Sequence, residues 1–469
     1  MNLPYPSFLS SRPGRLISAV ALTASLLPGA AGSGATTIAA PDALSTAVEA
    51  VTPPAPPAGA PTEPLDLQSA VRIALDQNPA LKAAAEGVAA AAETIGVARA
   101  AYYPEVGVDS HYRRFDTHVF LPSGLPALAT TLGATDDWSA SVRVGWALYD
   151  SGMRRAETAA ARSGFAAIRN DAERVRQDVV FEVHQAFYRV LAADAALEAA
   201  RARAGRAGEH LRLAEIRKAA GAVPQADVLR ARVEVADARL AIVRAEGELR
   251  TAQGVLNTAM GLPAARPVEV APPAEGSSGA ESPDPEAVLA RALRQRPELA
   301  ATKERIAAAD QQAAALAASF GPRVRAEIGV GRRDSGFVPE DQDWSVGVAL
   351  QIPIFTGFAK THRVERARRE ARMLEAQAVG VADQIGQEVW AATTALASAG
   401  EAVRQATETR SEAEQSVAFA RARYEAGAGT LNDLLDAESA LTQAETSLVA
   451  AELSYRLATA LVERAQGQL

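Results

Sequence analysis

Two carboxylates, Asp433 and Asp436, are the residues of this sequence whose type and spacing predict a binding function. They lie three residues apart in a segment of helical periodicity, so they occupy neighbouring faces of one helix. If three copies of the chain surround a common axis, each aspartate becomes a ring of carboxylates, and such rings bind or select cations in a pore. The alternative interpretation is helix capping, because Thr430 precedes Asp433 by three residues, as in a capping box.

A related aspartate lies near the start of an earlier helix. Pro224 opens that helix, and Asp227 takes the position that Asp433 takes in the later one. A carboxylate in the first turn is favoured by the helix dipole, which contributes about 0.3–1 kcal/mol. For Asp227 we therefore prefer the capping interpretation.

No group of residues in the sequence is typical of an enzyme. There is no cysteine, and five histidines are scattered without the spacing of a metal site: His111, His118, His184, His210 and His362. The many carboxylates fall on helix faces that we interpret as solvated. We predict no catalytic residue, no metal site, no cofactor and no enzyme activity. A net charge of −8 without any basic block also argues against a nucleic-acid partner.

The amino-terminal region predicts export from the cytoplasm. Arg12 and Arg15 precede a short apolar stretch and then small residues, which is typical of a signal peptide over residues 1–31. The alternative is a disordered tail with incidental leucines. Residues 32–64 are rich in proline and alanine, and we predict that they are unstructured. No later segment is apolar over about 18 residues, so we expect no transmembrane helix in the mature chain.

The remainder of the chain is an internal duplication. Apolar residues recur at every seventh position in two separate stretches, and alanines follow them three residues later, which indicates coiled-coil packing with close helix approach. The apolar stripes are Val228, Val235, Ile242, Leu249, Leu256 and Leu434, Leu441, Leu448, Tyr455, Val462. We divide the chain into a first repeat (65–262), a linker rich in proline, glycine and serine (263–285) and a second repeat (286–469).

Each repeat interrupts its helical pattern with two segments of alternating apolar and polar residues. The clearest are Trp138–Tyr149 and Trp344–Ile354, and each follows a partner strand. Alternation over about ten residues fits a strand with one face in lipid, and tryptophans at the strand starts would suit the membrane interface. The alternative is an ordinary antiparallel sheet whose apolar face covers a soluble core. Four strands cannot close a barrel, so a membrane location requires several chains to share one, and three would provide twelve strands.

Long helical patterns follow the strands in both repeats. They extend from Arg154 to Ala219 and from Lys360 to Glu425, and about 66 helical residues span about 100 Å. Shorter helices follow and precede them: Gln225–Met260, Leu431–Gln466, Leu67–Ala101 and Glu286–Ser319. The predicted fold class is mainly α with a β-barrel part. Helices tens of ångströms longer than a membrane is thick favour a duct or a spacer.

The duplicated order of helix, two strands and two helices, with glycine-containing turns and the Asp-Leu-Leu-Asp run at 433–436, resembles the TolC-type outer-membrane efflux proteins. The resemblance covers roughly 65–467. It implies a homotrimer in which long coiled-coil helices form an α-helical barrel, while four strands per protomer contribute to a shared 12-stranded transmembrane β-barrel. It also implies a location in the outer membrane of a Gram-negative bacterium, with the helices extending into the periplasm.

The resemblance further implies roles for residues at the helix tips. Asp433 and Asp436 match aspartates that ring the periplasmic entrance, and Tyr424 matches a tyrosine that helps to hold the closed state. The remaining gate residues are Gly427, Gly429 and Thr430. Gly429 stands where many members have an arginine that ties the hairpins together, so the usual closed-state contacts are not expected unchanged. Two small-residue turns match the surface that contacts an adaptor: Ala220, Gly221, Ala222 and Ala426, Gly427, Ala428.

We therefore predict a passive exit duct of a tripartite efflux or type I secretion system. In this hypothesis a periplasmic adaptor (membrane fusion) protein and an inner-membrane pump of the RND or ABC type provide opening and energy, and the barrel contacts outer-membrane lipid. The alternative is a soluble periplasmic coiled-coil scaffold or adaptor protein. Small drugs, metal ions and secreted proteins remain open as the exported substrate.

Overall fold

The computed structural model describes residues 64–118, 131–221, 223–272, 283–426 and 428–469. The predicted signal peptide, all but the last residue of the predicted Pro/Ala-rich segment, Ala222 and Gly427 lie outside the described residues. Each half has the same order of elements. The first contains α1 (Leu67–Gln77), α2 (Pro79–Ala100), β1 (Glu105–His118), β2 (Thr131–Tyr149), α3 (Met153–Ala219) and α4 (Gln225–Ala259). The second contains α5 (Pro285–Gln295), α6 (Pro297–Ala318), β3 (Arg323–Asp334), β4 (Gln342–Gln351), α7 (Ala359–Glu425) and α8 (Leu431–Gln466).

The helices that precede the strands are each broken in two, so the prediction of one continuous helix in each place is wrong. The breaks fall at Asn78 and Arg296, whose backbones are extended, with ψ of 126° and 127°. Proline follows both residues, and its ring disfavours the helical conformation of the residue before it. Asn78 then caps the next helix, because its side-chain oxygen accepts a hydrogen bond from the backbone of Ala80.

The two long helices, α3 and α7, each contain 67 residues, and their predicted bounds are confirmed to within one residue. Each packs along the shorter helix that follows it. The alanine seam of α4 is buried at Ala231, Ala238, Ala245 and Ala252, as the seven-residue spacing predicts. No helix in the described part of the chain is both long enough and apolar enough to cross a membrane.

The duplication extends to the hydrophobic core. One cluster packs Ala70 of α1 and Val183 of α3 against Leu256 of α4. The other cluster packs Val288 of α5 and Val389 of α7 against Val462 of α8. These are the corresponding residues of the two repeats. The same packing solution therefore holds the short first helix of each half against its long hairpin.

Two glycines allow close backbone approach beside these clusters. Gly261 and Gly467 end α4 and α8 with positive φ values of 78° and 76°, a conformation that favours glycine at a helix C-terminus. A Cβ on Gly261 would lie 2.8 Å from the backbone carbonyl carbon of Gln77. A Cβ on Gly467 would lie 3.2 Å from the carbonyl carbon of Gln295. Each glycine therefore lets the hairpin end dock on the break between the two short helices.

The four strands form one antiparallel sheet in the order β1-β2-β3-β4. The prediction of two strands per repeat is confirmed, but three of the bounds predicted for β2 and β4 differ. β2 begins at Thr131, so Trp138 lies within the strand and not at its start. β4 begins at Gln342, two residues before Trp344, and it ends at Gln351, because Pro353 cannot donate to the ladder and restricts Ile352 before it. Within the sheet, β1 and β4 each pair on one side only.

Candidate functional site

The aspartate at the start of α8 forms the predicted capping box. The hydroxyl of Thr430 accepts a hydrogen bond from the backbone of Asp433 at 3.2 Å, and the Asp433 carboxylate accepts one from the backbone of Thr430 at 3.0 Å. This backbone hydrogen bond is the main reason that the pKa of Asp433 is lowered, and the Thr430 hydroxyl and the charge of Arg423 act in the same direction. Asp433 therefore stays ionised at neutral pH.

Asp436 lies one turn further along α8 and is exposed. Asp433 is also exposed, although its carboxylate serves the cap. The geometry thus confirms the capping interpretation for Asp433, and a role of both aspartates at a pore entrance stays a prediction. An ionised, oriented carboxylate is compatible with both roles.

Asp227 lies in the first turn of α4, as predicted, but its side chain forms no capping hydrogen bond, so that part of the capping interpretation is wrong. The residue in the cap position is Pro224, which has no N–H for the carboxylate to bind. The carboxylate lies instead 3.7 Å from the guanidinium of Arg230 in the next turn. Asp227 therefore stabilises α4 only through the favourable position of its charge near the helix N-terminus.

Tyr424 is buried at the end of α7, where it packs on Leu434 of α8 and on Leu213 of α3. The guanidinium of Arg217, also on α3, lies 4.2 Å from the centre of its ring, at the distance of a cation–π contact. Tyr424 therefore joins the tip of the second hairpin to the long helix of the first repeat. The predicted function of this contact in a closed state stays a prediction.

The two tip turns expose small residues. α3 ends at Ala219, and Gly221 follows with a positive φ of 74°, which explains the glycine in this turn. The exposed turn residues are Ala220, Gly221, Ala426 and Ala428, whereas Ala222 and Gly427 lie outside the described residues. Gly429 is half-buried against Arg423, whose guanidinium donates a hydrogen bond to the carbonyl of Ala428 at 3.0 Å.

A buried polar cluster near the tips was missed at the sequence level. His210 of α3 hydrogen-bonds Glu438 of α8 at 2.7 Å, and Arg421 of α7 reaches the other carboxylate oxygen at 3.3 Å. Burial opposes ionisation of Glu438, but the hydrogen bond and charge of His210, together with Arg421 and Arg206, lower its pKa overall. The only sequence signal was the spacing of four residues between Arg206 and His210, which places both on one helix face.

The sheet carries a continuous apolar face that nothing in the described part of the chain covers. Its residues stand opposite one another across the strands, in rows such as Val108–Val142–Val330–Trp344. Val108 is 78% exposed and Trp344 70% exposed. If the sheet covered a soluble core, this apolar face would be buried, because its burial would be the main contribution of the sheet to stability. The exposed face therefore argues against that alternative.

The other face of the sheet is polar. Asp137 accepts hydrogen bonds from Arg113 at 3.2 Å and from Arg333 at 2.8 Å, and Arg143 lies 3.3 Å from Asp109. Opposite charges are thus paired across neighbouring strands. One apolar and one charged face on each strand is the pattern of a transmembrane barrel wall.

Aromatic side chains lie at both ends of the apolar face. At the end of the sheet farther from the helices, the centre of the Trp138 ring lies 4.3 Å from that of Tyr112 and 4.8 Å from that of Phe337. At the helix end the indole of Trp146 donates a hydrogen bond to the carbonyl of Tyr102 at 3.0 Å. Trp138 and Trp146 are eight residues apart on β2, which corresponds to about 26 Å of strand. Strands of a membrane barrel tilt by about 35–45°, so this length of strand spans about 20 Å along the membrane normal, and both aromatic ends fit within or near the edges of an apolar band about 25 Å tall.

Comparison with known proteins identifies the family. A family model described as "Outer membrane efflux protein" matches residues 70–262 and 288–468. Protein CyaE of Bordetella pertussis is 30% identical over 411 residues, which cover 84% of this chain and 82% of that protein.

Solved structures share the fold. A membrane protein from Pseudomonas aeruginosa superposes with a TM-score of 0.73 at 22% identity, covering 85% of this chain and 93% of that one. The outer membrane protein VceC of Vibrio cholerae gives 0.70 at 20% identity, covering 86% and 96%. The CmeC outer membrane channel of Campylobacter jejuni gives 0.71 at 19% identity, covering 86% and 85%. The uncovered sheet, the paired long hairpins and these matches agree: the chain belongs to the outer membrane efflux protein family, and it is an efflux or secretion duct of the outer membrane of a Gram-negative bacterium.

Proposed function

We propose that three copies of the chain form one continuous passive duct. The single observation that carries this proposal is a four-stranded sheet with an uncovered apolar face and an unpaired edge on β1 and on β4. In lipid an open strand edge leaves backbone groups without partners, so β1 of one copy must pair with β4 of the next. Three copies of four strands give twelve, an even number in the range of membrane barrels.

The helices support the same assembly. An exposed apolar stripe follows α4, on the side of the helix away from its buried alanine seam: Leu229, Val233, Leu240 and Val243. Leu229 and Val243 are two heptads apart and Val233 and Leu240 one heptad, so the stripe keeps one face toward a partner along its length. Since α3 and the other described elements of the protomer leave this stripe uncovered, we expect a neighbouring copy to pack on it.

The tips form the proposed periplasmic entrance. Threefold symmetry would arrange Asp433 and Asp436 as two carboxylate rings, and the lowered pKa of Asp433 keeps its ring charged. The exposed small residues Ala220, Gly221, Ala426 and Ala428 would accept the close approach of a periplasmic adaptor. An inner-membrane pump of the RND or ABC type would supply the energy, and the duct itself would perform no chemical reaction.

Membrane extraction and chain count together test this proposal. The mature protein should stay in the outer-membrane fraction after high-salt and carbonate washes, because its apolar sheet face lies in lipid. In detergent, cross-linking of the native protein should give a covalent species of three chains. Release into the soluble fraction by carbonate, or a folded and monomeric protein in detergent, would contradict the shared barrel.

A further inference from the structure

The two hairpins of the sheet each place one arginine at the same position of the apolar face. In the first hairpin Arg114 lies two residues beyond the β1 residue that pairs with Trp138. In the second hairpin Arg332 lies two residues beyond the β3 residue that pairs with Trp344. Side chains two residues apart on a strand share a face, so both arginines lie on the face that carries the tryptophans. The duplicated hairpins therefore carry a cation at corresponding points.

The cross-strand partners of the two arginines differ in charge. Arg114 is paired with Asp136, whose carboxylate lies 3.8 Å from its guanidinium. Arg332 is paired with Gln342, whose amide carries no charge, and both side chains are exposed. The first hairpin thus neutralises its arginine. The second hairpin leaves the equivalent positive charge available, beside an amide that can donate a further hydrogen bond.

No other group compensates the charge of Arg332 in the described part of the chain. There the ion pairs of the sheet involve other arginines, and none involves Arg332. The carboxylate of Asp334, two residues further along β3, accepts hydrogen bonds from the backbone and the hydroxyl of Ser335 at 2.6 and 3.3 Å. Residues 119–130, which lie outside the described residues, contain no charged side chain. Arg332 therefore needs an anion from outside the chain.

The depth of Arg332 fits the headgroup layer of a membrane. Trp138 and Trp344 are corresponding residues of the repeats, so they lie at the same depth in a barrel, where strand tilt compensates the offset of their rows. Two residues of tilted strand place Arg332 about 5 Å beyond this aromatic level along the membrane normal. A headgroup layer is about 5–7 Å thick. Because the helices leave the opposite end of the sheet, this layer belongs to the outer leaflet in the proposed duct.

We infer that Arg332 and Gln342 bind the phosphate headgroup of an anionic lipid in the outer leaflet, at one site in each copy of the chain. The inference rests on the proposed duct function, which places the sheet in the membrane and its turns outside. A guanidinium binds phosphate through two parallel hydrogen bonds, and the Gln342 amide adds another donor. Trp344, which is 70% exposed, lies on the membrane side of the site and offers an apolar surface to the rest of the lipid.

Native mass spectrometry of the mature protein in detergent tests the site, because it counts bound lipid molecules and yields their affinity. The probe is lipid A, a phosphorylated glycolipid, and its dephosphorylated form keeps the acyl chains without the anionic groups. Arg332→Gln removes the cation, and Gln342→Asp recreates the neutralised pair of the first hairpin. Arg114→Gln is the matched control, since Arg114 already has a carboxylate partner. Each variant is first checked for chain count and helix content.

We expect lipid A to bind the unmodified protein about tenfold more tightly than its dephosphorylated form, the factor expected for one charge-assisted contact. Arg332→Gln and Gln342→Asp should each remove this preference, whereas Arg114→Gln should keep it. Inorganic phosphate in large molar excess should not displace lipid A, because the acyl chains on the apolar face add to the affinity of the lipid.

Three results would overturn the lipid site while leaving the duct intact: equal binding of the two lipid forms, a preference that survives in Arg332→Gln, or an equal loss in Arg114→Gln. Displacement of lipid A by inorganic phosphate would also overturn it, since the occupant would then be a free anion. Release of the unmodified protein from membranes by carbonate would instead contradict the duct, and the lipid site with it. The extraction does not depend on Arg332, so the two failures are distinguishable.

Discussion

A charge placed at the middle of the apolar sheet face should destabilise the protein only if that face lies in lipid. Val142 lies on β2 midway between Trp138 and Trp146, so it marks the centre of the apolar band. An arginine at the midplane of a membrane barrel costs about 2–4 kcal/mol, and near the interface much less. We therefore expect Val142→Arg to lower the free energy of unfolding by about 2–4 kcal/mol per protomer.

The neighbouring residue provides the control. Ser141 lies on the polar face of the same strand, directly opposite Asp109, so an arginine there would meet a carboxylate and water. Ser141→Arg should change the free energy of unfolding by less than about 1 kcal/mol. Denaturant titration of the protein in lipid vesicles, followed by tryptophan fluorescence, measures both variants. Equal losses for the two variants, or no loss for Val142→Arg, would refute a lipid-facing surface.

Three further predictions concern the assembly, the entrance and the core. Val243→Lys on the exposed stripe of α4 should weaken association of the copies by about 1.5–3 kcal/mol per interface. The variant trimer should then dissociate at a lower concentration of denaturant in detergent solution, and an unchanged midpoint would exclude the stripe from the interface. Asp433→Ala and Asp436→Ala should each weaken block by multivalent cations from the tip side without preventing trimer formation, and unchanged block would return Asp433 to capping alone. Only Asp433→Ala should also lower the stability of the start of α8. Because the pKa of Asp433 is lowered, this stabilisation is present above the ordinary aspartate range and is lost as the pH falls through the folded pKa. Gly261→Ala should lower the free energy of unfolding by about 1–3 kcal/mol, since its φ is positive and a Cβ would meet Gln77. Gly208→Ala, at an exposed position in the last third of α3 with open space around the added Cβ, should instead raise it by about 0.5–1 kcal/mol. The reverse order would contradict the docking of the hairpin end.

The periodic features of the fold could be predicted from the sequence because they are local. The seven-residue stripes indicate which helix face packs on a neighbour, and the alternation around Val142 indicates which strand face is apolar; both were confirmed. The helix breaks at Asn78 and Arg296 were also visible as residues before proline, but the helical pattern on either side concealed them. The early start of β2 was missed, because Thr131–Asp137 lacks clear alternation.

Contacts between the two repeats could not be predicted in the same way. His210 and Glu438 are 228 residues apart, and nothing local to either indicates that α3 and α8 meet there. The contact between the Tyr424 ring and the Arg217 guanidinium could not be predicted either, because it depends on how the two hairpins pack. At α8, by contrast, Thr430 and Asp433 formed the expected box because both partners lie within one turn.

Single-channel conductance of the purified mature protein in a planar bilayer is the measurement that tests the duct most directly. We expect a small, stable pore that is blocked by multivalent cations added on the side of the helix tips, where Asp433 and Asp436 lie. Protein that is folded, helical and trimeric but forms no pore would contradict the central claim.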